Sequence, residues 1–215
     1  MIVVLTGAPG AGKGTQADMI ASRAGFRKVS TGDALRKHVQ IKSLIGQQAE
    51  AVMARGELVS DEILFEILRE ELGPNPEEKI LLDGYPRNVA QAKTLNSLGK
   101  VHPVVLAIHL DVDASELVTR LSGRRVCGNC GATFHVRLTP TKASGICDKC
   151  GGSLQQRTDD REESVRTRLS VYDSTTKPVL EYYREKGLYD RVDGKGTTEE
   201  VFSKLNASLN RLGLT

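Results

Sequence analysis

A chain of 215 residues is long enough for one sizeable core with room for small inserted lobes, and its 30 basic against 27 acidic side chains leave a net charge of only +3. That balance demands neither a nucleic-acid nor a membrane partner. Aromatic residues make up 4 % of the chain and tryptophan is missing, which argues against a base-stacking platform. No apolar run reaches the roughly 18 residues of a membrane helix, so the expectation is a cytoplasmic protein.

The first element is the apolar strand candidate Ile2-Val3-Val4-Leu5, followed by GAPGAGKGT over residues 7–15. Gly7, Gly12 and Lys13 stand close to the spacing of a phosphate-binding loop, in which glycines let several backbone N–H groups face one phosphate chain. The usual hydroxyl residue directly after the lysine is replaced by Gly14, so Thr15 is expected on the magnesium side. Ala17, Ile20, Ala21 and Ala24 then recur at helical spacing, completing the strand, turn and helix order that the motif needs.

Residues 30–59 read as helices without a long strand. Ser60-Asp61-Glu62 opens a helix with acidic residues at its positive end, and Gly73-Pro74 stops it. Further strands are expected at Lys79–Leu82, Val104–Leu110 and Leu188–Val192, giving a parallel sheet wrapped by helices. Asp113 with Glu116, and Thr197 with Glu200, have the spacing of capping boxes. His38, His102 and His109 fall in no motif and are expected to be surface or structural.

All four cysteines lie in one window, as Cys127-x-x-Cys130 and Cys147-x-x-Cys150 with sixteen residues between the pairs. This is zinc-ribbon spacing, and four thiolates close a tetrahedral shell with no open position, which makes the ion structural, with iron as the other metal that thiolates accept. His135 and Asp148, in the same window, are expected at the surface or in hydrogen bonds. Few basic residues flank the ribbon and Phe134 is its only aromatic, so a nucleic-acid-binding lobe is the minor alternative.

ILLDGYPR at 80–87 is an apolar strand ending in Asp83, a carboxylate placed to organise magnesium, then Arg87 after a glycine turn. Together with STGDALR at 30–36, GRRVC from 123, QRTDDREESVRTRL at 156–169 and VDGKG from 192, it resembles the adenylate kinases of the nucleoside-monophosphate kinase family, in their long form with a metal-bearing lid. The resemblance spans nearly the whole chain.

It implies an α/β P-loop kinase: a parallel five-stranded sheet flanked by helices (core 1–29, 60–122 and 161–215), a helical monophosphate lobe at 30–59 and a zinc-bearing lid at 123–160. It implies transfer of a phosphoryl group from MgATP to AMP, giving two ADP, by a protein expected to be a monomer. A kinase for UMP or CMP is the alternative within the class.

By the same resemblance, Lys13 and the loop residues Gly10, Ala11, Gly12, Gly14 and Thr15 hold the ATP phosphates, with Thr15 and Asp83 near Mg2+. Arg36 and Arg87 clamp the AMP phosphate, and Arg124, Arg157 and Arg168 gather around the transferring group, where a planar and permanently charged fork suits phosphate oxygens. Arg120 lies against the ATP adenine, with Thr133, Phe134 and Gly196 around its base and ribose. Thr31, Met53, Glu57, Leu58, Val59, Gly84, Tyr85, Pro86 and Gln91 complete the AMP site. Glu57 contributes backbone only, and Gln91 offers its amide to the adenine edge. Asp159 and Asp160 are expected as hinge or closing contacts, with a helix cap as the other role for Asp160.

Overall fold

The computed structural model describes residues 1–99 and 101–214. Its central strand β1 (Ile2–Thr6) is buried at every position, the signature of a parallel strand covered on both faces. It pairs in parallel with β3 (Ile80–Asp83) on one side and β4 (Val104–Asp111) on the other. β8 (Tyr189–Asp193) extends the sheet beyond β4, and β2 (Arg27–Ser30) closes the opposite edge, giving the order β2-β3-β1-β4-β8. Of the four β2 residues only Val29 is buried, as suits an edge strand that turns Arg27 and Lys28 outward.

Helices cover both faces. Ile2, Val4, Ile80 and Leu82 pack towards Leu64, Ile67 and Leu68 of α4 (Asp61–Leu72). Val3, Leu5 and Leu81 pack towards Ala17 and Ile20 of α1 (Lys13–Ala24) and Leu205 and Leu209 of α9 (Thr198–Asn210). The Ser60 side chain caps α4 by accepting from Ile63 N–H, and Gly73 follows its last turn. At α9 the expected reciprocal box forms between Thr197 and Glu200.

The expected box at Asp113 does not form. Asp113 occupies the N-cap of α6 (Ala114–Ser122), yet its side chain makes no cap hydrogen bond. Its carboxylate instead pairs with Lys195 at 2.6 Å, while Glu116 pairs with Arg120 at 2.7 Å, one turn along the helix. Both acidic side chains have charged partners within reach, and these compete successfully with a neutral backbone N–H.

Two excursions leave the core. Between Ser30 and Ser60 the chain forms α2 (Thr31–Gln40) and α3 (Leu44–Ala54), each N-capped by a serine hydroxyl, Ser30 and Ser43. Between Gly123 and Arg161 it forms a small antiparallel sheet, β6-β5-β7, from β5 (Arg124–Cys127), β6 (Thr133–His135) and β7 (Leu154–Gln155). α5 (Val89–Ser97) follows β3. After the small sheet come a 3-10 turn (Thr158–Asp160), α7 (Glu162–Val171), a π-helical turn (Tyr172–Thr176) and α8 (Pro178–Glu185).

Candidate active site and metal centre

The glycine loop lies at the carboxyl end of β1, where ligands bind in open α/β sheets. Gly7, Gly10 and Gly12 all have positive φ, and a Cβ on Gly10 would stand 3.0 Å from both the Leu117 carbonyl and Leu121 Cγ of α6. Glycine is thus required both by conformation and by the close approach of α6. No side chain caps α1, so its first N–H groups stay free of a side-chain partner. Lys13 Nζ donates to the carbonyls of Gly7 (2.8 Å) and Ala8 (3.1 Å), folding back over the loop. Burial lowers its pKa to about 8 against the opposing pull of Asp83, with Arg87, Arg168 and Arg124 lowering it further.

Facing the loop is an open cleft. Lys13, Arg87 and Arg168 line it together with Leu58, Gly84, Tyr85 and Pro86. Arg87 Nε donates to the Gly84 carbonyl at 2.8 Å; burial first, then Arg168 and Arg36, lower its pKa to about 10. Arg157 is likewise lowered to about 10 by burial and by Arg36 and Arg124, and its Nε is buried without a hydrogen-bond partner. Cations that depress one another, one with an orphaned donor, form a site whose unmet requirement is an anion.

Asp160 binds the second layer of this cluster. It is 0 % exposed and receives Arg124 through both carboxylate oxygens, with Nε to Oδ2 at 2.7 Å, while Arg168 Nη1 reaches Oδ1 at 3.1 Å. Arg168 also meets Asp159 Oδ2 at 3.0 Å. The N-cap of α7 is Arg161, so Asp160 serves as an arginine clamp and not as a helix cap. On the helical excursion, Asp33 pairs with Arg36 and, at 3.4 Å, with Lys28. Burial alone would raise its pKa, but Arg36 and then Lys28 hold it down to about 2.

In the small sheet the four cysteine Sγ atoms lie within 4.8 Å of one another, with Cys127 and Cys150 at 3.4 Å and Cys130 and Cys147 at 3.6 Å. Four thiolates around zinc at about 2.3 Å stand roughly 3.8 Å apart, so the cluster fits that ion. The two knuckles repeat one design. Cys127 N–H donates to Ala132 O and Cys147 N–H to Gly152 O, while Gly131 and Gly151 return N–H groups to the Cys127 and Cys147 carbonyls at 3.0 and 2.9 Å. Gly131 and Gly151 take φ of 71° and 73° to do so. The backbone N–H of Cys130 draws the Cys127 thiol downward, towards the thiolate that binds metal, while its neighbouring thiols push Cys150 upward.

A glycine loop, an arginine cluster and a four-cysteine lobe occur together in known proteins. The family model described as adenylate kinase matches residues 5–188. An adenylate kinase of Thermodesulfovibrio yellowstonii is 45 % identical over 98 % of this chain and 100 % of the relative. Those of Geobacillus sp. (strain WCH70) and Methanocella arvoryzae are 46 % and 42 % identical, each over 99 % of this chain and 100 % of the relative.

The chain belongs to the adenylate kinase family.

Set against the residues that the resemblance to adenylate kinases singled out, the structure brings Lys13, Arg87, Arg168, Leu58, Gly84, Tyr85 and Pro86 to one cleft. Asp83 ends β3, nearly buried, with Oδ2 3.8 Å from where a Gly14 Cβ would stand, and Thr15 is exposed in the first turn of α1. Thr31 is buried and donates to the Gly84 carbonyl at 3.0 Å, tying α2 to the turn after β3. Met53 and Val59 pack on the core, and Glu57 pairs with Arg55 at 2.7 Å. Arg120, Thr133, Phe134 and Gly196 lie outside the cleft lining.

Gln91 stands behind the cleft wall. It is buried; its Oε1 accepts the Arg87 backbone N–H at 2.7 Å and its Nε2 donates to Asp61 at 2.7 Å. Reading an adenine edge would draw on the one N–H and one lone pair that remain.

Val171, Tyr172 and Thr176 also line the cleft, and the motifs had not pointed to them. The signal was available, because Val171 and Tyr172 follow Arg168 by three and four residues and share its helical face. Gly56 lines it too; a Cβ there would sit 2.5 Å from the Ser164 carbonyl, so the end of α3 lies hard against α7. His102, His109 and His135 are all buried and hydrogen-bonded; His135 Nδ1 accepts the N–H groups of Arg137 and Leu138 at 3.0 Å each. Asp148 accepts from Lys142 N–H.

Proposed function

We propose that this chain catalyses reversible transfer of the terminal phosphoryl group of MgATP to AMP, giving two ADP. The observation that carries the reading is the convergence of Lys13, Arg87 and Arg168 on one cleft, with Arg157, a neighbour of Arg36 and Arg124, offering an orphaned buried donor. Phosphoryl transfer asks for placement and charge neutralisation more than for a protein nucleophile, and that is what a fixed set of cations supplies. Lys13 and the loop amides hold the ATP phosphates. Arg36 and Arg87 hold the AMP phosphate, and Arg124, Arg157 and Arg168 neutralise charge on the group in transit.

Asp83 and Thr15 offer the hard oxygen donors that suit Mg2+, which when bound neutralises phosphate charge. Residues 30–59 act as the AMP lobe, with Thr31, Met53, the backbone at 57–59 and Gln91 around the base. Residues 123–160 act as a lid that excludes water from the transfer, stiffened by a structural zinc on Cys127, Cys130, Cys147 and Cys150. Arg120, Thr133, Phe134 and Gly196 meet the ATP adenosine when the lid is down. The protein works as a monomer in the cytoplasm. No helix among the described residues is long and apolar enough to cross a membrane.

The test is phosphoryl transfer from MgATP to AMP, UMP, CMP and GMP, with a no-acceptor control. ADP formation that depends on AMP is the expected result. Preference for another monophosphate would refute the AMP assignment and leave the kinase chemistry standing, whereas no transfer to any acceptor would refute both.

A further inference from the structure

Behind the cleft lies a buried polar contact that the phosphate-handling residues do not use. His109 on β4 stands 3.0 Å from the hydroxyl of Tyr172 through Nε2 and 3.4 Å from that of Tyr189 through Nδ1. His109 and Tyr172 are 8 % and 9 % exposed. Each residue is tied by its backbone to one side of the phosphate site. His109 pairs across the sheet with Thr6, directly before Gly7, whose carbonyl accepts from Lys13. Tyr172 N–H donates to the carbonyl of Arg168, and Tyr172 opens the π-helical turn through which α7 passes into α8. Lys177 N–H closes that turn on the Tyr172 carbonyl at 2.8 Å. Such turns are rare and occur often at functional sites.

We propose that His109 and Tyr172 are positioning residues, whose hydrogen bond pins the end of α7 to the sheet and so fixes Arg168 relative to Lys13 and its loop. The inference rests on the phosphotransfer reading above. The two cations reach the cleft from separate elements, α1 and α7, and the His109–Tyr172 contact is a short buried path between the strands that carry the loop and the helix that carries Arg168. Burial lowers the pKa of His109 to about 4, so the ring is neutral at pH 7 and bonds the hydroxyl without adding a charge to the cationic site. Small misplacements of a positioned charge cost rate and leave ground-state binding nearly untouched, because the stabilisation is needed in the transition state.

Steady-state kinetics and melting of Tyr172→Phe, His109→Leu and His109→Gln, with and without Arg168→Lys, test this. Tyr172→Phe and His109→Leu should each lower kcat about tenfold with KM for ATP and AMP within about twofold, while His109→Gln, whose amide still meets the hydroxyl, keeps at least about half of kcat. In the Arg168→Lys background, Tyr172→Phe should cost less than about twofold, since the geometry it protects is already lost. Unchanged kcat in Tyr172→Phe, or a further tenfold fall on top of Arg168→Lys, overturns the inference and leaves the phosphotransfer reading intact. A wild-type chain without AMP-dependent turnover overturns both.

Discussion

Replacing Asp160 by asparagine removes one negative charge from between two guanidinium groups while keeping the shape of the side chain. In the native structure that carboxylate is 0 % exposed, whereas the side chains of Arg124 and Arg168 retain 18 % and 19 % exposure. An asparagine oxygen in place of Oδ1 can still accept from Arg124 and Arg168, but its NH2 then faces the Arg124 Nε donor, and the charge that balances two partly buried guanidinium groups is gone. Breaking a buried ion pair costs about 3–5 kcal/mol, and partial access of water to both arginines places Asp160→Asn near 3 kcal/mol. For a domain of this size each kcal/mol moves Tm by about 2–4 °C, so calorimetry should record a fall of roughly 6–12 °C. Glu162→Gln supplies the contrast. Its ion pair with Arg166 is 70 % and 74 % exposed, and its removal should stay within about 0.5 kcal/mol. If Asp160→Asn melts within about 2 °C of the parent chain, the carboxylate does not hold the arginines together.

Removing the proposed structural zinc with a chelator under reducing conditions should lower Tm by several degrees while turnover at moderate temperature falls less than about twofold, because a closed four-thiolate site would stiffen its lobe without touching the reaction; equal loss of both would count against this. Lys13, with a pKa of about 8 in the free protein, should regain its proton on meeting a triphosphate. Calorimetric titration with ATP at pH 8.5 in buffers of different ionisation enthalpy should therefore show proton uptake, and affinity should fall as pH rises through 8; the same uptake in Lys13→Met would refute the assignment. The Tyr183 hydroxyl is buried without a partner, so Tyr183→Phe should stabilise the chain by about 1 kcal/mol. A loss of stability on urea titration would mean that the hydroxyl has a partner after all.

Much of this architecture is written locally in the chain. Ile2–Leu5 reads as a buried strand because all four residues are apolar, and the structure extends it by Thr6; the loop after it carries glycine where φ must be positive. β2 was illegible because only Val29 of its four residues is buried, leaving nothing with a period to detect. The capping spacing at Asp113 misled for a related reason: Lys195, distant in sequence, arrives beside it only after β8 pairs with β4. The arginines were legible by their motifs, whereas their partners were not. That Asp160 lies under Arg124, or that Tyr172 meets His109, depends on segments 36 and 63 residues apart coming together. The π-helical turn stands just before Pro178, whose missing N–H and ring interrupt a regular helical ladder, yet the proline alone does not say that the break takes this form.

The cysteine-bearing excursion leaves the core at Gly123, the C-cap of α6, and returns at Arg161, the N-cap of α7. Both junctions are places where a helix has already ended or has yet to start, so no strand of the five-stranded sheet passes through the insertion. Lengthening, shortening or exchanging the inserted segment therefore shifts no residue of that sheet from one face to the other. The inserted segment can change while the register of β1, β3 and β4 stays as it was.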